Sequence, residues 1–267
     1  MTDHIILPNF DPIVFGIGPI AIRWYSLAYI AGILFTWLLL KSFNRSKQIM
    51  SKEALDNWIV WGVLGVIIGG RIGYILFYNF GYYFNNPIQI FMVWNGGMSF
   101  HGGFLGAVIS MILFCKIYEI NFFKLTDILA IATPIGLFFG RIANFINQEL
   151  YGRITYSKFG VIFPKADNFP RYPSQLYEAF LEGFLLFVIL FSLAKLTRIR
   201  EKPGIISGLF LILYSCARSF VERFREPDEQ IGLLFGQGIS MGQILSFPML
   251  IAGIIIIITS LKKNYSQ

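Results

Sequence analysis

Four arginines lie in or beside apolar segments, where a charged side chain is costly, and they are Arg23, Arg71, Arg141 and Arg218. An arginine at the centre of a bilayer costs about 2.5–3.5 kcal/mol on insertion scales, so such residues usually face a helix-bundle interior or a wet cavity. Guanidinium groups recognise phosphate in bidentate geometry, and two of them could stabilise charge developing on a phosphate leaving group. The arginines therefore indicate a phospholipid-handling site, which leaves transfer, transport and sensing open.

Helical spacing groups further polar residues with these arginines. At about 100° per residue, Asn144 and Gln148 lie on the helix face of Arg141. Three more stripes follow the same spacing, and they are Arg71, Tyr74 and Tyr78; Gln175, Glu178 and Glu182; and Tyr214, Arg218, Glu222 and Arg225. We expect the four faces to converge on a polar cavity that opens to the outer leaflet.

Some of these residues also have a purely structural interpretation. Arg23, near a helix end, is typical of a side chain that extends to the lipid headgroups. For Arg71, pairing with a carboxylate and a catalytic role remain open. Glu149 and Glu222 are interpreted as partners that neutralise the arginines rather than as general bases. Because Glu149 lies off the face of Arg141, we also interpret it as a support of the helix end.

His101 precedes Gly102 and Gly103, which would let a ligand approach closely. The reference pKa of histidine, about 6.5, suits proton transfer near neutral pH, although the spacing leaves a structural role equally open. The sequence GVIIGGRIG at 65–73 indicates close helix packing rather than dinucleotide binding, because no strand precedes it. We expect no metal and no cofactor, since no ligand cluster or cofactor motif is visible.

The elements that must position these residues are membrane helices. The 267 residues are 55% hydrophobic and only 14% charged, whereas soluble domains have about 25% charged residues. We predict an all-α polytopic membrane protein in a single membrane domain, with seven transmembrane helices. They lie at about 18–40, 56–79, 98–115, 126–146, 174–194, 204–222 and 239–261. The net charge of +7 is interpreted as an orientation signal and as lipid contact, not as a nucleic-acid site.

The distribution of basic residues predicts the orientation of these helices. Lysines and arginines occur in segments 41–53, 116–124, 195–202 and 262–263, whereas segments 1–17 and 80–97 contain none. The positive-inside rule then places the N-terminus outside and the C-terminus in the cytoplasm. This orientation places three segments on the outer side: a small head at about 147–173, an arm loop at about 80–97 and the polar segment 223–238. The start lacks a basic region and a cleavage site, so we expect no removable signal peptide.

One segment resembles a family signature. The sequence GRIANFINQELYG at 140–152 meets every fixed position of G-R-x-[GA]-N-F-x-N-x-E-x-x-G, which is typical of the bacterial prolipoprotein diacylglyceryl transferases. Further segments resemble that family in the same order, and they are WYSLAY, GGRIGYILFYN, WNGGMSFHGG, YPSQLYEA, RSFVERFREPDEQ and ISMGQILS. The resemblance implies transfer of the sn-1,2-diacylglyceryl group from phosphatidylglycerol to the lipobox cysteine of preprolipoproteins. It also implies a seven-span fold in the bacterial cytoplasmic (inner) membrane, with the active site facing outward.

The resemblance also implies roles for individual residues. Arg141 and Arg218 match essential arginines, and His101 matches the family's histidine, which we predict to be the base for the thiol. Functionally important positions are matched by Tyr25, Asn144, Gly152 and Tyr214. Polar positions of less settled role are matched by Glu149, Glu222 and Arg225, and Arg71 is a further supporting residue. Arg223 and the short loop 153–171 depart from some relatives and leave the fine substrate preference open.

The implied partners are phosphatidylglycerol, the signal peptides of preprolipoproteins and the bilayer, acting on a monomer. Two rival classes remain, a transporter and a seven-span receptor. A transporter is expected to have internal repeats and a polar path to the cytoplasmic side, and neither is visible. A retinal-type receptor needs a lysine in its last span, and the segment 239–261 contains none.

Overall fold

The computed structural model describes residues 4–17, 20–47, 49–227, 238 and 240–263. Its helices are α1 (Trp24–Lys47), α2 (Lys52–Tyr78), α3 (Phe80–Asn85), α4 (Phe100–Ile117), α5 (Phe122–Asn147), α6 (Ser174–Glu178), α7 (Leu186–Leu196), α8 (Ile205–Val221) and α9 (Met241–Lys263). A π-helical segment, Ala179–Leu185, joins α6 to α7 in one continuous helix, and short 3₁₀ helices lie at Pro87–Phe91, Val93–Asn95 and Ile199–Glu201. The strands are β1 (Ile5–Ile6), β2 (Ile13–Ile17), β3 (Ile20–Arg23), β4 (Val161–Ile162) and β5 (Pro170–Arg171).

Six helical stretches of the described residues are long and apolar enough to cross a bilayer. They are Trp24–Arg45, Lys52–Tyr78, Phe100–Ile117, Phe122–Asn147, Ser174–Leu196 and Met241–Lys262. The sixth predicted span, 204–222, corresponds to α8, which is apolar but has only 17 residues. The structure is therefore mostly helical with six long apolar helices and a shorter one.

The prediction of a purely helical chain is wrong at the start of the first span. Strands β2 and β3 pair in antiparallel fashion, with Ile13 opposite Arg23, and α1 begins only at Trp24. Isoleucine-rich sequence suits a strand as well as a membrane helix, because β-branched side chains favour extended backbone. The predicted start at residue 18 is thus too early, and Arg23 is an exposed strand residue outside the span.

The chain divides into two compact units, Met1–Leu39 with Thr126–Gln267, and Leu40–Leu125. In the second unit, α2 packs against α4 through glycines on both helices. A Cβ atom at Gly65 would lie 2.5 Å from Cβ of Ser110, and one at Gly73 would lie 2.7 Å from Cα of Gly102. The predicted close packing of the segment 65–73 is confirmed.

In the first unit, Asp127 of α5 holds the start of α8. Its carboxylate accepts hydrogen bonds from the backbone N–H groups of Gly204 and Ser207, both at 2.8 Å, and from the Ser207 hydroxyl at 2.6 Å. These bonds satisfy donors that a helix start leaves free. Gly208 of α8 then contacts α9, where an added Cβ would lie 2.7 Å from the Gly253 carbonyl oxygen.

A small sheet joins the N-terminal strand to the segment that follows α5. Strand β1 pairs in parallel with β4, and β4 pairs in antiparallel fashion with β5. Leu7, Val161 and Phe163 form a buried cluster beneath it, and Phe145 and Tyr151 pack against them. The segment 147–173 therefore has an ordered core that includes an N-terminal strand absent from the predicted head.

Candidate active site

Arg141 and Arg218 come from separate helices and share one carboxylate oxygen. The Nη2 atom of Arg141 lies 2.7 Å from Oε2 of Glu178, and Nη1 of Arg218 donates to the same oxygen at 2.7 Å. The side chain of Glu178 is fully buried, whereas those of Arg141 and Arg218 retain 16% and 12% exposure. The predicted convergence of these two polar faces and that of Glu178 is confirmed.

Two further carboxylates and a third arginine complete this group. Glu182, also fully buried, lies 3.6 Å from the guanidinium groups of both Arg141 and Arg218. Glu222 pairs with Arg218 at 2.6 Å, which confirms it as a neutralising partner. Arg225 lies 4.0 Å from Glu178. We call these six residues the ionic cluster: Arg141, Glu178, Glu182, Arg218, Glu222 and Arg225.

Close backbone packing brings the helices of the ionic cluster together. Gly183, inside the π-helical segment, lies against α5, where an added Cβ would be 2.8 Å from Cα of Phe138. Single π-helical turns occur frequently at functional sites. Gly242 of α9 lies against the cluster as well, since its Cβ would be 2.8 Å from Cδ of Glu222. The cluster therefore depends on two glycines that have no side chain to occupy its space.

Tyr214 lies one turn before Arg218 on α8. Its phenol interacts electrostatically with Arg141, Arg218 and Glu182, so it belongs to the surroundings of the ionic cluster as the spacing predicted. Its ring stacks on Phe210 with 5.8 Å between centroids, which fixes the direction of the hydroxyl. Tyr214 is therefore a half-buried aromatic residue at the edge of a charged group.

A second polar group links α1 to the end of α5. The amide of Asn144 donates a hydrogen bond to the hydroxyl of Tyr25, which in turn donates to Glu149 at 2.6 Å. The interpretation of Glu149 as an arginine partner is wrong, because its described contact is with a tyrosine. Its backbone carbonyl accepts from the Gln175 amide at 2.8 Å, and its role as a support of the helix end stays a prediction. This chain of bonds joins Tyr25 to the helix that carries Glu178.

The prediction that Gln148 shares the face of Arg141 is wrong. Helix α5 ends at Asn147, and Gln148 has a left-handed φ of 59°. The Gln148 amide instead donates to the carbonyl of Pro8 and accepts from the N–H of Lys165 at 2.9 Å. Helical spacing cannot be carried past the last helical residue, so Gln148 binds the ordered segment around β1 and β4.

Gly152 is placed where two backbone segments meet. It pairs in antiparallel fashion with Arg225 of the ionic cluster. An added Cβ would lie 2.6 Å from the carbonyl oxygen of Phe224 and 2.8 Å from Cβ of Tyr172. Gly152 thus permits the backbone approach that positions Arg225.

Arg171 is a connecting residue that sequence reasoning missed. It pairs with Asp167 at 2.7 Å and with Glu226 at 3.1 Å, and it donates to the Gly152 carbonyl at 3.1 Å. Its hydrogen bond holds the pKa of Asp167 below the ordinary value. Asp228 and Glu229, which the sequence placed in the same polar segment, lie outside the described residues.

In the other unit, Arg71 pairs with no carboxylate among the residues that the structure describes. Its guanidinium donates to the carbonyl groups of the segment that follows α3, and the acceptors are Gln89, Ile90, Met92, Gly96 and Gly97. The guanidinium also lies 4.8 Å from the ring centroid of Tyr83. The interpretation that Arg71 pairs with a carboxylate is therefore wrong. Arg71 instead holds the arm segment in place through its backbone carbonyls.

His101 is an exposed residue in the first turn of α4. It lines an apolar groove of about 660 Å³ between α2 and α4, together with Gly69, Ile72, Phe77 and Leu105. Its ring lies edge-on to Phe100 at 5.6 Å. Because His101 belongs to the unit Leu40–Leu125, its role as a base stays a prediction.

The family profile of prolipoprotein diacylglyceryl transferase matches residues 12–259. The chain belongs to this family. With its long apolar helices, it is a multi-pass membrane protein.

Curated relatives cover nearly the whole chain. The phosphatidylglycerol–prolipoprotein diacylglyceryl transferase of Rickettsia felis is 53% identical over 257 residues, which are 96% of this chain and 99% of the relative. Its counterpart in Rickettsia canadensis is 52% identical over 259 residues, which are 97% and 100% of the two chains. The enzyme of the same name in Brucella anthropi is 49% identical and covers 92% and 90%.

Family membership directs attention to the ionic cluster, yet several of its contacts were absent from the predicted site. Glu178 and Glu182 appeared only as a polar stripe, and Gly242 appeared only within a quoted segment. Periodicity identified the faces of Arg141, Glu178 and Arg218 correctly, but it carries no information about which carboxylate faces which arginine on a different helix. The available signal was the stripe itself, three acidic or amide residues in an otherwise apolar span.

Proposed function

We propose that the protein transfers the sn-1,2-diacylglyceryl group of phosphatidylglycerol to the lipobox cysteine of preprolipoproteins. A bond forms between the cysteine sulfur and the glyceryl carbon, and the bond between that carbon and the phosphate oxygen breaks. Glycerol phosphate leaves, and the thiol proton is released. Family membership and the names of the relatives support this reaction. The observation that carries it is the convergence of Arg141 and Arg218 on Glu178.

In this proposal, Arg141 and Arg218 bind the phosphate of the lipid and stabilise the charge that accumulates as glycerol phosphate leaves. Glu178 holds the two guanidinium groups side by side, so their orientation costs little when the lipid binds. Their partial exposure supports access by a headgroup. Glu222 and Arg225 support the cluster and keep its formal charge balanced, which limits the cost of burying it.

The remaining candidate residues have positioning roles. Tyr25 and Tyr214 position the lipid, and Asn144, Glu149 and Gly152 hold Tyr25 and Arg225 in place. Arg71 supports the arm segment that precedes α4. His101 accepts the thiol proton, because thiolate is the attacking form and the reference pKa of cysteine is about 8.5. No cofactor takes part.

We further propose that the protein lies in the bacterial cytoplasmic membrane as a monomer with seven spans. Its N-terminus and the ionic cluster face the outer side, together with a head around 147–173 and an arm around 80–97. The asymmetric distribution of lysine and arginine supports this orientation. The substrate signal peptide then enters from the lipid phase, with its cysteine at the outer surface.

The test uses purified protein, phosphatidylglycerol labelled in its acyl chains and a peptide with a lipobox cysteine. The label is expected on the peptide, in a bond that resists mild base because it is a thioether. A matched peptide with serine in place of the cysteine is expected to stay unlabelled. Lipid flux across proteoliposomes without any peptide labelling would favour a transporter instead.

A further inference from the structure

A row of buried oxygen acceptors runs along the helix that carries Glu178. Gln175, Glu178 and Glu182 are each fully buried. Within the part of the chain that the structure describes, four of their oxygens have no hydrogen-bond donor: Gln175 Oε1, Glu178 Oε1, Glu182 Oε1 and Glu182 Oε2. Buried polar atoms almost always have partners, and leaving one unsatisfied is costly. These oxygens therefore require donors from water or from a ligand.

The row is fixed in place next to the arginines. Its members are spaced by three and four residues, which places them on one face of the helix. At one end, the Gln175 amide N–H₂ group is bonded to the Glu149 carbonyl, which leaves its oxygen free. In the middle, Glu178 gives only Oε2 to Arg141 and Arg218. At the other end, Glu182 lies 3.6 Å from both guanidinium groups, beyond hydrogen-bond distance.

This arrangement matches the chemistry of a phosphodiester with a polyol headgroup. Arginines supply donors and positive charge for the phosphate, and the row supplies acceptors only a few ångströms away. The headgroup of phosphatidylglycerol carries two hydroxyl groups on the carbons beyond the phosphate, and each hydroxyl is a donor. With the phosphate at Arg141 and Arg218, the nearest acceptors for these hydroxyls are the carboxylates of Glu178 and Glu182, which lie 2.7 Å and 3.6 Å from the guanidinium groups.

We propose that Gln175, Glu178 and Glu182 form a subsite that binds the headgroup hydroxyls of phosphatidylglycerol and thereby selects a polyol headgroup. The proposal rests on the proposed function, because it takes the phosphate position from Arg141 and Arg218. A site built to hydrogen-bond a hydroxyl rejects an analogue without it strongly, since its own buried acceptors are then left unpaired.

The discriminating probe is phosphatidyl-n-propanol with the same acyl chains as the phosphatidylglycerol used beside it. Both lipids release a phosphate monoester, so their intrinsic reactivity is similar, and they differ only in the two hydroxyls. Phosphatidylethanolamine would be a poor probe, because its ammonium group also donates to carboxylates. For the full-length enzyme, we expect kcat/KM to favour phosphatidylglycerol by about 10- to 100-fold.

Glu182→Met tests the row directly, because it removes two acceptors and keeps a side chain of similar length. We expect the preference for phosphatidylglycerol to fall to about threefold or less, while Glu182→Gln, which keeps one acceptor, retains part of it. Leu190→Ala is the matched control from the same continuous helix, where Leu190 is fully buried. It is expected to lower thermal stability and to leave the ratio between the two lipids unchanged.

The ratio separates binding from structure, because a folding defect lowers turnover of both lipids equally. Equal kcat/KM for the two lipids in the unmodified enzyme would overturn the proposal, and water would then satisfy the row. If Glu182→Met kept the full preference for phosphatidylglycerol over phosphatidyl-n-propanol, Glu182 would not belong to the subsite. If Glu182→Met does not fold, Glu182→Gln takes its place, and an undiminished preference for phosphatidylglycerol in that variant would overturn the role of Glu182. Absence of diacylglyceryl transfer from phosphatidylglycerol itself would instead contradict the proposed function.

Discussion

The ionic cluster and the surroundings of Arg71 show two different ways to bury arginine in an apolar helix. In the cluster, the guanidinium groups of Arg141 and Arg218 contact carboxylates from other helices. Around Arg71, the same chemical group is bonded to backbone carbonyls of one nearby segment. All three arginines lie in polar stripes of similar appearance, so the stripe alone does not distinguish a charged site from a structural support.

The two regions differ in how many of their hydrogen-bonding atoms lack a partner within the described residues. All five N–H donors of Arg71 are used by backbone carbonyls, so its guanidinium group has no donor left for a ligand. The ionic cluster retains buried acceptors without donors among the described residues, and its arginines are partly exposed. A region that binds a ligand is expected to keep polar atoms whose hydrogen bonds are not yet made. A region that only stabilises the fold is expected to have these bonds made within the protein.

The largest expected effect is on catalysis by the cluster. Arg141→Lys or Arg218→Lys is expected to lower kcat/KM by about 10²–10³, because an ammonium group cannot bind phosphate in bidentate fashion. The rate of diacylglyceryl transfer to a lipobox peptide measures this, with thermal stability recorded in parallel. Full turnover in either variant would contradict bidentate recognition of the phosphate.

The second prediction concerns the shared carboxylate. Glu178→Ala leaves two guanidinium groups without their common partner, and breaking a buried ion pair costs about 3–5 kcal/mol. We therefore expect a pronounced drop in the melting temperature of the detergent-solubilised protein, together with loss of transfer. An unchanged melting temperature would show that the arginines do not depend on Glu178.

The third prediction sharpens the contrast with Arg71. Arg71→Met removes the five hydrogen bonds from the guanidinium group to the arm carbonyls, and each lost bond contributes about 0.5–1.5 kcal/mol. We expect faster amide hydrogen exchange in residues 87–97, and a smaller loss of kcat than in the Arg141 and Arg218 variants. A kcat loss as large as theirs, with unchanged exchange in that segment, would place Arg71 in the chemistry.

The fourth prediction concerns the packing of Gly152, with a glycine of α5 as its control. Gly152→Ala forces Cβ against two backbone segments, so we expect a loss of about 1–3 kcal/mol and displacement of Arg225. Gly136→Ala meets no atom within 4 Å and is expected to be neutral or slightly stabilising. Thermal unfolding of the two variants checks this, and equal behaviour would argue against the close approach at Gly152.

The smallest expected effect is the pH dependence of the sheet that contains β5. Arg171 lowers the pKa of Asp167, so their bond contributes stability above the unfolded pKa of aspartate, about 3.9. This contribution is lost as the pH falls through the lower folded pKa of Asp167. We expect the protection factors of amides around residues 161–171, which correct for the intrinsic slowing of exchange in acid, to fall below about pH 4, and Asp167→Asn to remove that dependence. The same acid response in Asp167→Asn would assign it to another group.

Much of this arrangement could be predicted from the sequence, because apolar length and helical spacing are local properties. The spans and the converging faces of Arg141, Arg218 and Glu178 follow from them. The partner of Arg71 could not be predicted, since it depends on how a segment about 20 residues away folds back. Gln148 was misplaced because a left-handed residue without a glycine signal ends the helix. The first span began too early because isoleucines suit strand and helix alike.

The most direct test of the account is a structure of the protein with bound phosphatidylglycerol, determined by electron cryomicroscopy or crystallography. We predict phosphate oxygens at about 3 Å from the guanidinium nitrogens of both Arg141 and Arg218, and headgroup hydroxyls directed at Glu182. A phosphate bound away from both arginines, in a protein that still transfers the diacylglyceryl group, would contradict the assignment of the ionic cluster.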